Sequence, residues 1–327
     1  MNAQTIEQFK VGNKIEGFFM VRSCQCKVAN NQKKFLDITL CDKTGEINAK
    51  LWECTDEDEK QYTDHSLVKI RASVSAWQDR MQLKIERIRL ATENDQVDPA
   101  DFVPVAPFPA EYMYKQILHY ISRIDNQDIK NIVSTIIEQY KKTLMFFPAA
   151  MKNHHAIRSG LLYHIVSMLK TAEKLSEIYT FIDTDLLFAG VILHDIGKLE
   201  EMNATTLGMV SDYTCEGNLL GHIIQGIKLI DATATKLKAD PEASLLLQHM
   251  LLSHHYQPDF GSPKKPMFPE AELLHYIDLV DSRMYDMQKA LEGTTKGEFS
   301  ERIWSLDQRK VYKNKLPQKT LEQKSLA

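Results

Sequence analysis

The sequence predicts a multidomain chain in which a small closed β-barrel at the amino terminus precedes an all-α domain. Through residues 14–90, apolar and polar residues alternate, which is the period of a strand, and from about residue 111 apolar residues recur every three or four positions, which is the period of a helix. The histidines follow the same division, because only His65 of the 11 lies before residue 119. We therefore expect the two parts to carry different chemistry.

Composition bounds the class of protein. The 327 residues, 43% of them hydrophobic and 26% charged, are typical of a globular chain of about two domains. A net charge of −4 excludes a uniformly basic nucleic-acid coat but permits a local binding groove. No apolar run has the roughly 18 residues of a membrane span, and the first ten residues lack a signal-peptide core. Five cysteines without a C-x-x-C pair favour a reduced, cytoplasmic protein without a membrane partner.

Strand patterns fill the predicted first domain, residues 1–92. The first strand covers 15–21, and the second and third flank an Asp42-Lys43-Thr44-Gly45 turn typical of a hairpin. The alternating apolar sets are Leu36, Ile38 and Leu40; Ile47, Ala49 and Leu51; Val68, Ile70, Ala72 and Val74; and Met81, Leu83 and Ile85. Five short strands in about 80 residues predict a barrel of the OB type.

The prolines at 104, 107 and 109 fix an extended backbone and predict a linker over 93–110. Helical periodicity then runs through the predicted second domain, 111–308. The helices are expected near 117–124, 129–140, 161–175, 184–194, 217–238, 241–254 and 270–291. The basic tail, 309–327, is either a solvated tail or an arm that contacts RNA or a partner.

Histidines and aspartates recur on the predicted helices. His194-Asp195 ends an apolar helix and is followed by Ile196-Gly197-Lys198. Further members of this set lie beside apolar residues of other helices: His164, His222, His254, His255 and Asp278. Burying such groups is costly unless they are partnered, and a divalent metal partners several of them at once. Imidazole and carboxylate suit Mn, Fe, Co, Ni or Zn, and the absence of cysteine disfavours a structural zinc.

The order H…HD…H…H…D over residues 150–290 resembles the HD-domain superfamily of metal-dependent phosphohydrolases. The resemblance implies two metal ions, with manganese expected and Co, Fe, Ni or Mg as alternatives. The first-metal ligands would be His164, His194, Asp195 and Asp278. Asp195 would bridge to a second metal that His222, His254 and, as a further candidate, His255 bind. A pair of ions can offset charge on the attacking and leaving oxygens of a phosphodiester.

Other charged residues have two interpretations each. Lys198, with Asp195 a candidate catalytic residue, either contacts a phosphate oxygen or is a helix-end charge. Asp281 either orients a ligand histidine or pairs with Arg283 or solvent. Three residues before the first ligand helix either bind substrate phosphate or are ordinary surface groups: His154, His155 and Arg158.

A barrel of the OB type holds single strands by stacking bases on aromatics and following phosphates with Lys or Arg. Residues 11–92 carry 14 basic and 12 acidic residues, so charge supports this role only weakly. The candidate contacts are Phe35, Lys50, Trp52 and Arg71. Phe35 lies on the face opposite Leu36 and is expected to be the exposed stacking residue, because small barrels fill their interior with the other large side chains.

A barrel followed by these motifs resembles the YhaM family of 3′–5′ exoribonucleases over essentially the whole chain. The segments that carry the resemblance are 35–47, 49–52, 153–155, 160–164, 194–198, 220–222, 252–255 and 260–263, the last expected to border the substrate cleft. Ser159 departs from the family, which often has a second glycine there.

The resemblance implies an exonuclease that degrades single-stranded RNA, or single-stranded DNA, from the 3′ end to nucleoside 5′-monophosphates, and a homo-oligomer. One alternative is an HD-type nucleotidase or cyclic-nucleotide phosphodiesterase whose barrel serves assembly. The other is a non-catalytic RNA-binding protein whose metal is structural, against which the retention of Lys198 and every motif ligand counts.

Overall fold

The computed structural model describes residues 5–29, 32–77, 80–98, 101–151 and 154–316. Its amino-terminal part is a closed five-stranded barrel with the strand order β1-β2-β3-β5-β4. The strands are β1 Lys14–Val28, β2 Lys34–Asp42, β3 Gly45–Trp52, β4 Leu67–Trp77 and β5 Arg80–Leu90, with helix α1, Asp56–Gln61, between β3 and β4. The predicted barrel is thereby confirmed.

The long first strand lets the barrel close. The first half of β1 pairs with β4 and its second half with β2, with a register shift between Val21 and Ser23. Parallel pairing of β3 with β5, centred on Ala49 and Leu83, joins the remaining edges. Closure removes exposed strand edges, and the inward side chains of every strand form one apolar core.

The second part is a helical domain, as predicted. Its helices are α2 Ala110–Ser122, α3 Gln127–Gln139, α4 Lys141–Leu144, α5 Gly160–Ser176, α6 Thr184–Leu193, α7 Lys198–Glu201, α8 Cys215–Leu237, α9 Pro241–Ser253 and α10 Pro269–Glu292. Residues 186–193 of α6 are all buried, so this helix is the centre of the domain. The side chain of Asp183 caps its start by accepting from the amides of Asp185 and Leu186.

A small hairpin interrupts the helices, and the sequence patterns do not predict it. It consists of β6, Met202–Ala204, and β7, Val210–Tyr213. Leu207 at its tip packs in one apolar cluster with Met20 and Cys41 of the barrel and Val103 of the connecting segment. The hairpin therefore contacts the barrel although it belongs to the helical domain.

The proline-containing segment between the domains is extended but packed. Its Val105 forms a β-bridge with Arg158, and the Arg158 amide donates to the Pro104 carbonyl at 3.0 Å. At the carboxyl end, Tyr312 and Arg309 pair back onto Phe299 and Ile303. Residues 317–327 of the predicted tail lie outside the described residues. Within the described ranges, no helix is both long and apolar enough to span a membrane.

Candidate metal centre and nucleic-acid surface

The structure brings the predicted first-metal group together in the interior of the helical domain. His164 lies on α5, while His194 and Asp195 directly follow α6. The Nε2 atom of His164 lies 3.3 Å from His194 Nε2, 3.4 Å from Asp278 Oδ1 and 3.8 Å from Asp195 Oδ2. His164, His194 and Asp195 are all buried, and their ligand atoms are close enough to share one ion.

A second group adjoins the first through Asp195. Its Oδ1 atom lies 3.5 Å from His222 Nε2 and 3.9 Å from His254 Nε2. His222, His254 and His255 form a further cluster with ligand atoms close enough for one ion. Asp195 therefore faces both groups, one with each carboxylate oxygen.

Hydrogen bonds at the far side of the rings aim the ligand nitrogens inward. The Nδ1 of His194 contacts the Val191 carbonyl at 2.8 Å, and that of His254 the Leu251 carbonyl at 2.7 Å, so each Nε2 faces the centre. Three buried atoms that converge there have no hydrogen-bond partner among the residues that the structure describes: Asp195 Oδ1, His222 Nε2 and His254 Nε2. Buried polar atoms are normally partnered, and these are two imidazole nitrogens and a carboxylate oxygen. This donor set fits a divalent metal.

Charge at the centre supports the same conclusion. Burial alone would raise the pKa of Asp195, but the Lys198 charge and the adjacent His194 imidazole outweigh it and hold that pKa well below its usual value. Burial likewise opposes ionisation of Asp278, and hydrogen bonding to His164 more than reverses this and lowers its pKa. Both carboxylates are therefore ionised and able to act as metal ligands.

Lys198 is not an exposed helix-end charge. It opens α7, and its Nζ lies 2.7 Å from Asp195 Oδ2, with only 12% of the side chain exposed. Burial lowers the pKa of Lys198, but the adjacent Asp195 carboxylate more than offsets this, so the ammonium stays charged. A positive charge is thus held at the edge of the centre.

Asp281 binds two histidines at once. Its Oδ2 lies 2.8 Å from His164 Nδ1 and 2.8 Å from His155 Nε2. Arg283, the other partner considered for Asp281, pairs instead with Asp307. Asp281 is therefore placed to orient the His164 ring, and His155 in turn contacts the same carboxylate oxygen.

Asp281→Asn is expected to weaken Mn²⁺ binding about 10- to 100-fold, because carboxylates that orient a ligand histidine raise its basicity and fix its ring. Isothermal titration of the purified protein with Mn²⁺ measures the affinity. Asp286→Asn, on the same helix but bonded to Ser305, is the matched control and should bind like the wild type. Unchanged affinity in Asp281→Asn would contradict the orienting role.

Of the three predicted phosphate contacts before α5, only His154 lines the central cavity. His155 is 1% exposed, because its positive φ of 53° turns the ring inward against Tyr285 and Asp281. Arg158 points elsewhere, since its Nη1 donates to the Thr206 carbonyl and its guanidinium lies by Phe146. The structure therefore does not bring His155 and Arg158 into this cavity, and the expected contact of these two residues with substrate phosphate stays a prediction. Asn153, quoted with this motif, lies outside the described residues.

Glu201 is a site residue that the sequence analysis missed. Its Oε1 accepts from the His222 amide at 3.0 Å and contacts His222 Nδ1 at 3.2 Å. Gly221 (φ 68°) breaks α8 at this point, so His222 starts a new helical segment with Glu201 as its cap. The sequence did contain one signal for Glu201. It lies three residues after Lys198 on the same short helix, and residues with this spacing lie on the same side of a helix.

The glycine of the His-Asp-Ile-Gly-Lys motif allows a close backbone contact. A Cβ at Gly197 would overlap the His222 carbonyl oxygen and lie 2.7 Å from the Gly226 amide nitrogen. Backbone atoms cannot move aside as a flexible side chain can, so only glycine lets α7 and α8 approach this closely.

Gly197→Ala is accordingly expected to displace the His222 side chain. Misplacement of a catalytic-site group by roughly 1 Å can lower a reaction rate about 100-fold, so any phosphoester hydrolysis at this centre should slow by about that factor. Initial rates of hydrolysis and the thermal midpoint of unfolding, measured on the same preparation, check this. Gly293→Ala, where an added Cβ meets nothing within 4 Å, should match the wild type in both. If Gly197→Ala keeps the wild-type rate, the contact has no role in placing His222.

A cavity of about 420 Å³ opens over the centre. Its charged and imidazole-bearing lining includes His154, Asp195, Lys198, His254 and Asp278. The same cavity is also lined by Tyr256, Phe260, Leu279 and Arg283. Phe260 thus lines this cavity, and the expectation that its loop borders the substrate cleft stays a prediction.

On the barrel, the expectation that Phe35 is exposed is wrong. Phe35 faces outward, but only 8% of it is exposed, because Trp52 on β3 covers it with ring centroids 4.7 Å apart. Trp52 itself is 43% exposed, and Lys50 Nζ lies 5.4 Å and 5.7 Å from the two ring centroids. Arg71 is on β4, separated from β3 by β5, and contacts Glu86. The structure therefore groups Phe35, Lys50 and Trp52 but not Arg71.

Family comparisons agree with both halves of this architecture. Residues 15–91 match the model of an OB-fold nucleic acid binding domain, and residues 161–283 match that of an HD domain. The chain combines an OB-fold with an HD domain. The HD match spans His164 to Asp278, and hence the whole of the proposed ligand set. An HD domain indicates a metal-dependent phosphohydrolase, and its pairing with an OB-fold suggests that the substrate is a nucleic acid.

Similar solved structures include the second OB-fold domain of replication protein A from Methanococcus maripaludis (13% identity, 28% of this chain, 95% of that chain, TM-score 0.23). Another is the replication factor A related protein from Methanobacterium thermoautotrophicum (16% identity, 28% of this chain, 91% of that chain, TM-score 0.22). Identities this low transfer no activity to the present chain.

Proposed function

We propose that the protein is a 3′–5′ exonuclease that hydrolyses single-stranded RNA, with single-stranded DNA as the alternative substrate, to nucleoside 5′-monophosphates. The observation that carries the proposal is the convergence of Asp195 Oδ1, His222 Nε2 and His254 Nε2, buried and without hydrogen-bond partners, under a cavity in a chain that also holds an OB-fold. The polarity and the preference for RNA rest on the resemblance to the YhaM family.

The side chains at the cavity have distinct roles in the proposed reaction. His164, His194, Asp195 and Asp278 would hold one divalent ion, and Asp195, His222 and His254, with His255 as a further candidate, a second. When bound, such ions lower the pKa of water and offset charge on the attacking and leaving oxygens. Manganese is the ion we would test first.

Two cavity residues would act on the phosphate directly. The Lys198 ammonium lies 2.7 Å from Asp195 Oδ2, and in the proposed complex it would provide positive charge beside the terminal phosphodiester. Burial lowers the pKa of His154 to about 4, so its ring is neutral at pH 7 and can hydrogen-bond a water molecule or a phosphate. In the proposed hydrolysis, the oxygen of water bonds to the phosphorus of the last phosphodiester, and the bond from that phosphorus to the 3′ oxygen of the penultimate nucleotide breaks. The 3′ oxygen leaves and takes up a proton that water has given up. The product is a nucleoside 5′-monophosphate.

The direct test is degradation of a 5′-labelled single-stranded RNA in Mn²⁺. Progressive shortening of the labelled strand, together with release of nucleoside 5′-monophosphates, is the expected result. Immediate release of a labelled mononucleotide would show the opposite polarity, and an intact strand would refute nuclease activity. Parallel assays on mononucleotides and 2′,3′- or 3′,5′-cyclic nucleotides test the alternative of a small-molecule phosphohydrolase.

The outer face of β2 and β3 supplies the proposed strand-binding surface, because strands of this face bind oligonucleotides in OB-folds. Trp52→Ala is expected to raise the Kd for single-stranded RNA about 5- to 150-fold, since a stacked base contributes about 1–3 kcal/mol. Fluorescence anisotropy with a labelled oligonucleotide measures the Kd. Trp304→Ala, an equally large side chain that is 76% exposed near the carboxyl end, is the matched control. Equal affinities in the two variants would place the binding surface elsewhere.

A further inference from the structure

Phe260 is an exposed aromatic side chain at the mouth of the cavity. Its exposed fraction is 65%, although it lines the same space as Asp195 and Lys198. Tyr256 also lines this cavity, but its ring is already in contact with His275, at 4.8 Å between centroids, and with Lys265, whose Nζ lies 4.9 Å from its centroid. Phe260 therefore offers the accessible aromatic face in this cavity.

The backbone fixes the position of Phe260 relative to the candidate metal centre. Phe260 ends a single 3-10 turn, Pro258–Phe260, and its amide donates to the Gln257 carbonyl at 3.1 Å. The Phe260 carbonyl contacts His255 Nδ1 at 2.5 Å. Gly261, with φ 93°, then turns the chain away. The ring is thus carried on a loop tied directly to a histidine of the candidate centre.

The lining of the cavity combines the two kinds of group that a nucleotide requires. Lys198, His154 and the ligand set are charged or polar, as a phosphate requires. Phe260 and Leu279 line the same cavity and are apolar, and the Phe260 ring suits the flat face of a base. Because every base has a π-face, an aromatic ring holds any of the four without reading the sequence.

We propose that Phe260 is the stacking residue for the base of the 3′-terminal nucleotide, and that it acts on all four bases. The inference rests on the proposed function, because a terminal nucleotide enters the cavity only if the chain processes strand ends. It assigns the cavity a base-binding subsite in addition to the proposed phosphate contacts of Lys198 and His154. Phe260 would thereby position the terminal phosphodiester against the centre.

The test compares two ligands that differ only in the base. Isothermal titration of the 327-residue, Mn²⁺-loaded protein with adenosine 5′-monophosphate and with ribose 5-phosphate measures binding. No turnover is expected, because a nucleoside 5′-monophosphate is the product of the proposed reaction. The wild type is expected to prefer the nucleotide about 5- to 150-fold, the range for one stacked base. Phe260→Ala should bring this ratio close to one, and Phe260→Trp should preserve it. Uridine 5′-monophosphate should behave like the adenine nucleotide.

A matched control is Phe181→Ala. Phe181 is 72% exposed in the connection between α5 and α6 and does not line the cavity, so its removal should leave the ratio at the wild-type value. A ratio near one in the wild type, or a wild-type ratio that survives in Phe260→Ala, would overturn the proposal. The second result would place base recognition on the barrel or another surface.

A second substrate separates this inference from the proposed function. RNA with an abasic 3′-terminal nucleotide should show a KM raised about fivefold or more in the wild type, with no further increase in Phe260→Ala. Suppose that the wild type degrades RNA but binds both nucleotides no more tightly than ribose 5-phosphate: the base-binding subsite is then refuted and the nuclease proposal stands. Suppose instead that the preference for the nucleotides depends on Phe260 but no RNA is degraded: the nuclease proposal is then refuted and the subsite stands.

Discussion

Asp195→Asn is expected to lower phosphodiester hydrolysis by at least about 1,000-fold while leaving the affinity for single-stranded oligonucleotide unchanged. Asp195 Oδ2 lies 3.3 Å from His194 Nε2, and its Oδ1 lies 3.5 Å from His222 Nε2, so one carboxylate serves both ligand groups. An amide has one acceptor oxygen and no charge, and it therefore cannot serve both. Oligonucleotide binding should persist because the proposed strand-binding surface is on the barrel.

The measurement pairs initial rates with fluorescence anisotropy on the same preparations. Because Asp195→Asn leaves the buried Lys198 ammonium without its partner, and a broken buried pair can cost about 3–5 kcal/mol, the thermal midpoint must be recorded. The double variant Asp195→Asn/Lys198→Met removes that unpaired charge. Asp212→Asn, an exposed carboxylate on β7, is the control with wild-type activity. A parallel loss of oligonucleotide binding in folded Asp195→Asn would refute the division of labour between the domains.

Chelation is expected to abolish hydrolysis and to lower the thermal midpoint without unfolding the protein, and Mn²⁺ should restore both. An ion at the centre satisfies Asp195 Oδ1, His222 Nε2 and His254 Nε2, which have no other partner. A ligand that binds only the folded state adds about 2.7 kcal/mol of stability at 100 times its Kd. For a helical domain of this size, that corresponds to an increase of roughly 5–10 °C.

Scanning calorimetry in EDTA and in excess Mn²⁺ measures this shift, and circular dichroism reports whether the helices persist. His254→Ala should show a much smaller shift, since it lacks one of the three converging atoms. Full activity after exhaustive chelation would exclude a metal-dependent reaction. Complete unfolding on chelation would instead favour the alternative in which the metal is structural.

The periodicity of apolar residues predicted the helices and strands well, because it indicates which side of each helix or strand is buried. The 3.6-residue period over 161–175 corresponds to α5, Gly160–Ser176. The period of two at Val68, Ile70, Ala72 and Val74 corresponds to four buried side chains of β4. The same rule is wrong for Met81, which is 45% exposed, because strand ends extend beyond the core that the alternation describes.

Side-chain direction in turns was not predictable, because it depends on backbone angles that no periodicity encodes. His154 and His155 are neighbours, yet the positive φ of His155 sends one ring to the cavity and the other behind Asp281. Phe35 was expected to be exposed because it is on the outer face, and its burial depends on Trp52, a residue of another strand. Glu201 was missed for a similar reason, since its partner His222 lies 21 residues away.

The hairpin of β6 and β7 has a consequence for the length of substrate. Its tip packs through Leu207 against Met20 and Cys41 of the barrel, and its base continues from α7, which begins at Lys198. Rotation of the barrel relative to the helical domain must therefore break these apolar contacts or bend the hairpin. For the proposed exonuclease, this packed junction sets a minimum length of nucleic acid that can reach from the strand-binding face to the cavity. Oligonucleotides shorter than this length cannot occupy both surfaces and lose the gain in effective concentration that bivalent attachment provides. Digestion should accordingly slow at one characteristic short length.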